Sequence, residues 1–245
     1  NMNTDDIELL IIKIFDEEIL KEHSALYTIN YDKFVDIAIN NLTRILKANE
    51  AVFRNFFSYL NLLHSGMDKV INSVGESTIA VKDTVIISQY LHILRLAEEV
   101  GTLAFNGFPD GGIILWRSMY EQSLALLLLM KEYDDDLCRK FLNHNNKYHK
   151  RRIDSYEKTR EELGFPSLEI ELVDSVNSRH SELKTTYGKD YFEKDYGWAK
   201  GLFPSDPVTL KLIEDHLQMN KYRSFYIWSS GIAHSGVEAL KSYME

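Results

Sequence analysis

The feature that most constrains the fold is the spacing of apolar residues. Over long stretches of the chain, apolar side chains recur every three or four residues, which is the period of an α-helix. Only 12 glycines and 4 prolines interrupt the 245 residues, so few positions are expected to end a helix. We find no segment with the convincing alternation of a strand. The sequence therefore predicts an all-α protein, folded as a multi-helix bundle.

The most apolar segment is "GGIILWRSMYEQSLALLLLM", residues 111–130. A helix that is apolar on nearly every side belongs at the centre of a bundle, so we predict an apolar central helix at about residues 112–131. The alternative is a membrane span. However, Arg117 and Glu121 lie at the centre of the segment, and its longest apolar run is seven residues. A buried bundle helix explains it better, and we expect no membrane partner.

The second half of the chain predicts further helices. Acids at 134–136 favour the start of a helix that extends to about Leu163, because negative charge stabilises a helix N-terminus. A long C-terminal helix is predicted at about residues 220–243. Between them, residues 187–207 contain six aromatic side chains, so we expect an ordered loop that is held by ring packing and that covers a site and excludes water from it.

The sequence predicts that the helices before Gly75 form a separate unit. We expect residues 1–75 to form an N-terminal helical extension that either caps the core or builds a dimer interface. Residues 76–245 form the helical core domain, which carries the polar side chains discussed below. A homodimer is therefore an expectation from the sequence.

Charge and cysteine content limit the class of protein. A formal net charge of −9 argues against a protein that binds nucleic acid over its whole surface, although a local basic patch remains compatible with it. One cysteine, Cys138, excludes an intrachain disulfide framework and suits a reducing compartment. Because residues 1–8 hold three acids and no signal sequence is recognisable, we expect a cytoplasmic protein.

Two helices each carry a polar stripe. Arg117 and Glu121 lie one turn apart on the central helix. In "RSFYIWSSGIAHSG", residues 223–236, the offsets of Arg223, Ser230 and His234 place them on one narrow face. A buried charge without a partner costs about 3–5 kcal/mol. We therefore predict that these five residues share one pocket, in which Glu121 orients His234 or Arg223.

A purely structural explanation of these residues also stands. Arg117 and Glu121 can pair with each other, while His234 bonds a carbonyl group, as many core histidines do. The convergence of two arginines, a carboxylate, a serine and a histidine favours a functional site, because a helical bundle needs fewer polar side chains to fix the register of its helices.

These motifs resemble a known family. The segments "GGIILWRSMYEQSLALLLL", "LCRKFLNHNNKYHKRR", "YGWA" and "YRSFYIWSSGIAHSG" resemble an uncharacterised bacterial family of helical proteins, catalogued only as a domain of unknown function. The resemblance covers about residues 85–240 and is carried mainly by the Arg117–Glu121 turn and the Ser230–His234 motif. It implies an all-α fold and the location of the site.

More distantly, the chain is similar to the HEPN superfamily, many of whose members are metal-independent ribonucleases in defence and toxin systems. Their signature is an arginine followed after four to six residues by a histidine. "RKFLNH", Arg139 to His144, has this spacing, whereas Arg223 and His234 stand further apart. The similarity implies that RNA is a ligand.

A basic segment provides a candidate RNA surface. Residues 139–160 hold eight Lys and Arg against two acids, and Tyr148 and Tyr156 lie among them. Lysine and arginine neutralise backbone phosphates, and exposed aromatic rings stack on bases. The candidate nucleic-acid-binding residues are Arg139, His144, Lys147, Lys150, Arg151 and Arg152. A solvated helix face that offsets the neighbouring acids is the structural alternative.

Two functions follow as hypotheses. The first is a HEPN-like protein of the defence or toxin type that binds RNA and cleaves it without a metal, with a cognate antitoxin or defence protein as partner. The second is a non-catalytic helical module that binds a small anion or a protein partner through Arg117 and Arg223. The sequence lacks Glu-x-x-His pairs, a Walker A loop and Gly-x-Gly-x-x-Gly, so we predict neither a metal nor a cofactor.

Overall fold

A computed structural model describes residue 47 and residues 49–72, 80–204 and 207–234. These residues form α-helices and short 3₁₀ turns without a strand, which confirms the all-α class. The boundary predicted at residue 75 and the last part of the C-terminal helix, from residue 235, lie outside the described residues. The helices are α1 (49–72), α2 (Val81–Phe105), α3 (Pro109–Glu132), α4 (Asp135–His144), α5 (Asn146–Thr159), α6 (Ile170–Tyr187), α7 (Asp190–Glu193), α8 (Leu210–Leu217) and α9 (Arg223–Ala233).

Helices α2 and α3 form a tight helical hairpin. The turn between them contains Gly107 at φ +80°, a backbone conformation that favours glycine. Helix α3 starts at Pro109, three residues before the predicted start, because proline has its backbone angle already fixed for the first helical position. It ends at Glu132, and the next residue, Tyr133, has a left-handed φ of 46°. The side chain of Asp134 then caps α4 by accepting a hydrogen bond from the Leu137 N–H, 2.7 Å away.

The helix predicted from the acids at 134–136 to Leu163 is wrong in its extent. It is divided into α4 and α5 at Asn145. The two residues that flank the junction, His144 and Asn146, are both buried. Positions two residues apart point to opposite sides of a straight helix, so a change of direction is needed to bury both.

Helix α3 forms the centre of the core. Leu124, Leu128 and Leu129 have no exposed surface. The length of α3 and its mean hydropathy of 1.2 also fit a membrane span, a property that core helices of soluble proteins share. Trp198 and Tyr191, from the aromatic loop predicted at residues 187–207, are 3% and 2% exposed and pack into this core.

Helix α1 packs on α2 through aromatic rings. The rings of Phe53 and Phe57 lie 5.5 and 6.4 Å from that of Phe105. A Cβ atom at Gly101 would lie 2.4 Å from a ring carbon of Phe56, so glycine allows the two helices to approach closely. The described part of the N-terminal extension is therefore in contact with the core, and its role as a dimer interface stays a prediction.

The C-terminal region begins differently from the prediction of a helix at residues 220–243. Residues Asn220–Tyr222 form a 3₁₀ turn, and α9 starts at Arg223. Helix α9 packs against α3, where the ring of Phe225 lies 6.5 Å from that of Trp116. His234 is the residue that follows α9, and its N–H bonds the Ser230 carbonyl. This position at the helix end determines where the imidazole points.

Candidate functional site

Helices α3 and α9 bring four side chains into direct contact. From α3, the Arg117 guanidinium donates to the Glu121 carboxylate at 3.2 Å and to the Tyr226 hydroxyl at 3.3 Å. Its Nη1 lies 2.8 Å from Nε2 of His234. The Tyr226 hydroxyl in turn donates to Glu121 at 2.8 Å. Arg117 is therefore the group that joins the two predicted stripes.

The contact with Arg117 constrains the tautomer of a neutral His234. A guanidinium has only N–H donors, so Nε2 of His234 accepts and the proton of a neutral imidazole lies on Nδ1. His234 is exposed to solvent, and Arg117 is partly buried. Although burial opposes it, the bonds to Tyr226 and Glu121 raise the pKa of Arg117 above its usual value. The arginine stays charged and directs its Nη1–H at Nε2 of His234.

Tyr226 lies between the two arginines. The guanidinium carbons of Arg117 and Arg223 are each 5.1 Å from the centre of its ring, within the range of a cation–π contact. Burial raises the pKa of the Tyr226 hydroxyl, and the hydrogen bond to Glu121 raises it further. The hydroxyl therefore remains protonated and keeps its role as donor to Glu121.

Two of the five predicted site residues, Arg223 and Ser230, make their hydrogen bonds outside the group around Arg117. Arg223 donates to Glu214 at 3.0 Å, and the hydroxyl of Tyr120 donates to the other oxygen of that carboxylate at 2.9 Å. Ser230 donates to the Tyr226 carbonyl of its own helix at 2.8 Å. Glu121 pairs with Arg117 and Tyr226, where the sequence predicted His234 or Arg223. The reason is that α8 supplies Glu214, a second carboxylate that is only 1% exposed.

A cleft of about 670 Å³ opens beside these side chains. Arg117, Glu121 and Tyr226 line one side, and Tyr196 and Trp198 of the aromatic loop line another. Burial raises the pKa of Tyr196, and the nearby Glu121 carboxylate adds to the effect. The loop thus forms a wall of the cleft, as its aromatic content predicted.

The Arg139–His144 pair has a structural explanation. His144 is 5% exposed, and its Nε2–H donates to the Lys194 carbonyl at 3.0 Å. Its ring packs edge-on against Tyr191 at 5.2 Å. Burial, and next the charge of Lys147, lowers the pKa of His144. Arg139 is exposed on α4. His144 is thus mostly enclosed and its Nε2 is hydrogen-bonded, although it also lines the cleft described above. The predicted contact of this pair with RNA stays a prediction.

The basic segment does not form one continuous surface. Lys147, Lys150 and Arg151 face a groove that they share with α6. Arg152 faces a different, largely apolar groove. Lys147 is 3% exposed because its ammonium bonds Asp195 at 2.8 Å. Helical periodicity explains the division, since neighbouring residues on α5 point 100° apart.

Sequence reasoning missed three side chains that shape the site, namely Tyr226, Tyr120 and Glu214. Tyr226 was visible only as a flank of the polar stripe, although it lies one turn after Arg223 and one turn before Ser230. Glu214 occupies an ordinary amphipathic helix, and no spacing marks it as buried. Among the described residues, no group of three His, Cys, Asp or Glu side chains is arranged to hold a metal ion.

Comparison with protein families identifies the chain. The model of a family described as "Family of unknown function (DUF5677)" matches residues 83–245, which is more than half of the sequence. The protein therefore belongs to this family. The matched range contains α3, α9 and the four contacting side chains Arg117, Glu121, Tyr226 and His234. Searches of curated proteins and of solved structures found no match.

Proposed function

We propose that this protein is a HEPN-like helical protein of the defence or toxin type, which binds RNA and cleaves it without a metal. The observation that carries the proposal is the contact between His234 Nε2 and Arg117 Nη1 at 2.8 Å, with the histidine exposed and the arginine lining a cleft. A base and a cation next to each other are the two groups that this cleavage needs.

The residues have distinct roles in the proposed reaction. The phosphate of the substrate binds Arg117, which releases the Nε2 lone pair of His234. His234 then accepts the proton of the 2′-hydroxyl while the 2′-oxygen attacks phosphorus. The bond to the 5′-oxygen breaks, and that oxygen takes a proton from water. The hydroxide that remains takes the proton held by His234, which restores the neutral imidazole. The products are a 2′,3′-cyclic phosphate and a 5′-hydroxyl end.

Glu121 and Tyr226 act as positioning residues. Together they bind the Arg117 guanidinium on the side away from His234, so that Nη1 keeps its direction towards the reacting phosphate. Charge developing on the phosphate in the transition state is then stabilised by a donor that is already oriented. Tyr148, which is 44% exposed at the rim of the cleft, offers a ring on which a base can stack.

The anion-clamp alternative has less support. It requires Arg117 and Arg223 to bind one ligand together, but Arg223 donates to a carboxylate that is 1% exposed. Releasing Arg223 would leave that carboxylate buried without its cation, which is unfavourable. Binding of RNA without cleavage would be the result that favours a non-catalytic module.

The test is incubation of the purified protein with defined single-stranded RNA in the presence of EDTA. We expect cleavage with 2′,3′-cyclic phosphate ends, and a loss of about 100-fold or more in His234→Ala, as is typical when a general base is removed. His92→Ala is the matched control, because His92 is exposed on α2 and is not among the residues that line the cleft. Equal activity of wild type and His234→Ala, or cleavage abolished by EDTA, would contradict the proposal.

A further inference from the structure

A second polar depression lies beside α5. It has a volume of about 250 Å³ and is bounded by α5, α6 and α7. We call it the basic groove. Five cationic side chains line it: Lys147, Lys150, Arg151, Lys184 and Lys189. Two of the five come from beyond the basic segment at 139–160, so the sequence pattern did not reveal the groove.

The charges of the basic groove are only partly compensated. Lys147 pairs with Asp195, Lys150 with Asp154 and Lys189 with Glu193. Among the described residues, neither Arg151 nor Lys184 makes an ion pair, although Glu193 also lines the groove. The pKa of Asp195 is lowered first by its hydrogen bond to Lys147 and also by the charge of Arg151. A local excess of positive charge therefore persists in a chain whose net charge is −9.

An aromatic pair and a hydrogen bond form part of the lining of the basic groove. The rings of His180 and Phe192 stack with centroids 4.4 Å apart. Nδ1 of His180 bonds the Asn146 side-chain oxygen at 3.1 Å, and Asn146 is 8% exposed. Burial, and next the charges of Lys150 and Lys184, lowers the pKa of His180, which indicates a positive field at the floor.

We infer that the basic groove is a binding site for the phosphomonoester of a nucleotide, at the 5′ end of an RNA chain or on a free mononucleotide. A phosphomonoester carries about −1.5 to −2 charges at pH 7, which matches the two cations that lack an ion pair. Its three terminal oxygens accept hydrogen bonds from several directions. Cations from α5, α6 and the start of α7 surround the groove in this way.

A continuous backbone track fits the arrangement less well. A track needs cations in a row, whereas the cations of the basic groove converge from three segments. Arg152, the next residue along the basic segment, faces the apolar groove instead. A diester phosphate also carries only one negative charge, so it leaves part of the positive field uncompensated.

The basic groove adjoins the cleft. The Lys147 ammonium, in the groove, bonds Asp195, which lines the cleft. It also lies 5.6 Å from the ring centre of Tyr148, another cleft residue. A nucleotide whose phosphate is bound in the groove can therefore extend towards Tyr148. This step rests on the proposed function: an RNA held by its 5′ phosphate would enter the cleft with a defined register.

The experiment measures binding by the His234→Ala protein, so that cleavage does not interfere. The probes are one RNA oligonucleotide made with a 5′ phosphate and with a 5′ hydroxyl. We expect the phosphate to strengthen binding about tenfold or more, the usual size of a charge-assisted contact. Arg151→Glu and Lys184→Glu should remove this difference. A nucleoside 5′-monophosphate that competes as well as the phosphorylated RNA supports the site with a free nucleotide as its source.

Two control variants test the location. Arg152→Glu and Lys158→Glu make the same charge change on α5 outside the basic groove, and both residues are exposed. They should keep the preference for the 5′ phosphate. Equal binding of both oligonucleotides by the parent protein overturns the inference, and so does an equal loss in Arg151→Glu and Arg152→Glu. If the preference is present but the wild type cleaves no RNA, the phosphate site stands and only the proposed cleavage fails.

Discussion

Removing Arg223 tests how much the stability of the protein depends on pairing the buried Glu214 carboxylate with a cation. Glu214 is 1% exposed and accepts hydrogen bonds from Arg223 at 3.0 Å and from the Tyr120 hydroxyl at 2.9 Å. In Arg223→Ala the carboxylate keeps only the neutral tyrosine donor. We therefore expect a loss of stability that originates from the unpaired charge of Glu214, in addition to any lost packing.

The size of the effect follows from burial. Removing one partner of a buried ion pair costs about 3–5 kcal/mol. The Arg223 side chain is 34% exposed, so water can partly replace it, and we place the expected loss near the lower limit. A loss of about 3 kcal/mol corresponds to a fall in Tm of about 6–12 °C for a protein of this length.

A double-mutant cycle with Glu214→Gln is more informative, because the sign of its effect on stability is predicted. Glu214→Gln in the Arg223→Ala background removes the charge and keeps the size of the side chain. It should recover about 1 kcal/mol or more, because a neutral amide is less costly to bury than a carboxylate. In the wild-type background the same substitution should destabilise the protein, since it weakens the bond to Arg223.

Chemical denaturation and thermal melts of the four proteins measure this cycle. Arg95→Ala is the matched control, because Arg95 bonds Glu99 at the same distance of 3.0 Å, but that carboxylate is 41% exposed. Its loss should stay below about 1 kcal/mol, as for other surface pairs. The reasoning is refuted if Arg223→Ala lies within about 1 kcal/mol of wild type, or if adding Glu214→Gln destabilises the protein further.

Three further results are expected. Gly197→Ala should lower the unfolding free energy by more than about 2 kcal/mol in denaturant titrations, because its Cβ would lie 2.2 Å from the Tyr191 carbonyl oxygen. The control is Gly66→Ala, whose Cβ would have no atom within 4 Å. It should be neutral or stabilise α1 by up to about 1 kcal/mol. Burial, and next Lys147, lowers the pKa of His144, so the unfolded chain binds that proton first and stability falls as the pH drops below about 6.5. His144→Gln should reduce the loss of unfolding free energy between pH 7 and 5, and an unchanged slope would contradict this assignment. In solution scattering, the predicted homodimer should have twice the chain mass of 28.5 kDa. A monomeric mass at micromolar concentration would contradict the prediction of a dimer.

The sequence predicted those features that depend on neighbours along the chain. The period of three to four apolar residues predicted the all-α class, and the nearly uniform apolar content of residues 112–131 predicted the central helix. The four-residue spacing of Arg117 and Glu121 placed them one turn apart, where the structure finds them bonded. The break at Asn145 was missed because no local turn signal marks it. It is needed to bury the side chains of both His144 and Asn146.

Only the tertiary structure decided which polar groups meet. Periodicity places a side chain on a face of its own helix, but the partner depends on how helices far apart in sequence pack. The packing of α8 gave Arg223 a buried carboxylate, Glu214, and the packing of α9 on α3 gave His234 the Arg117 guanidinium. In the same way, α6 brought Lys184 beside Arg151 to form the basic groove. These contacts join residues between 9 and 117 positions apart, and core packing and the desolvation of buried charge select them.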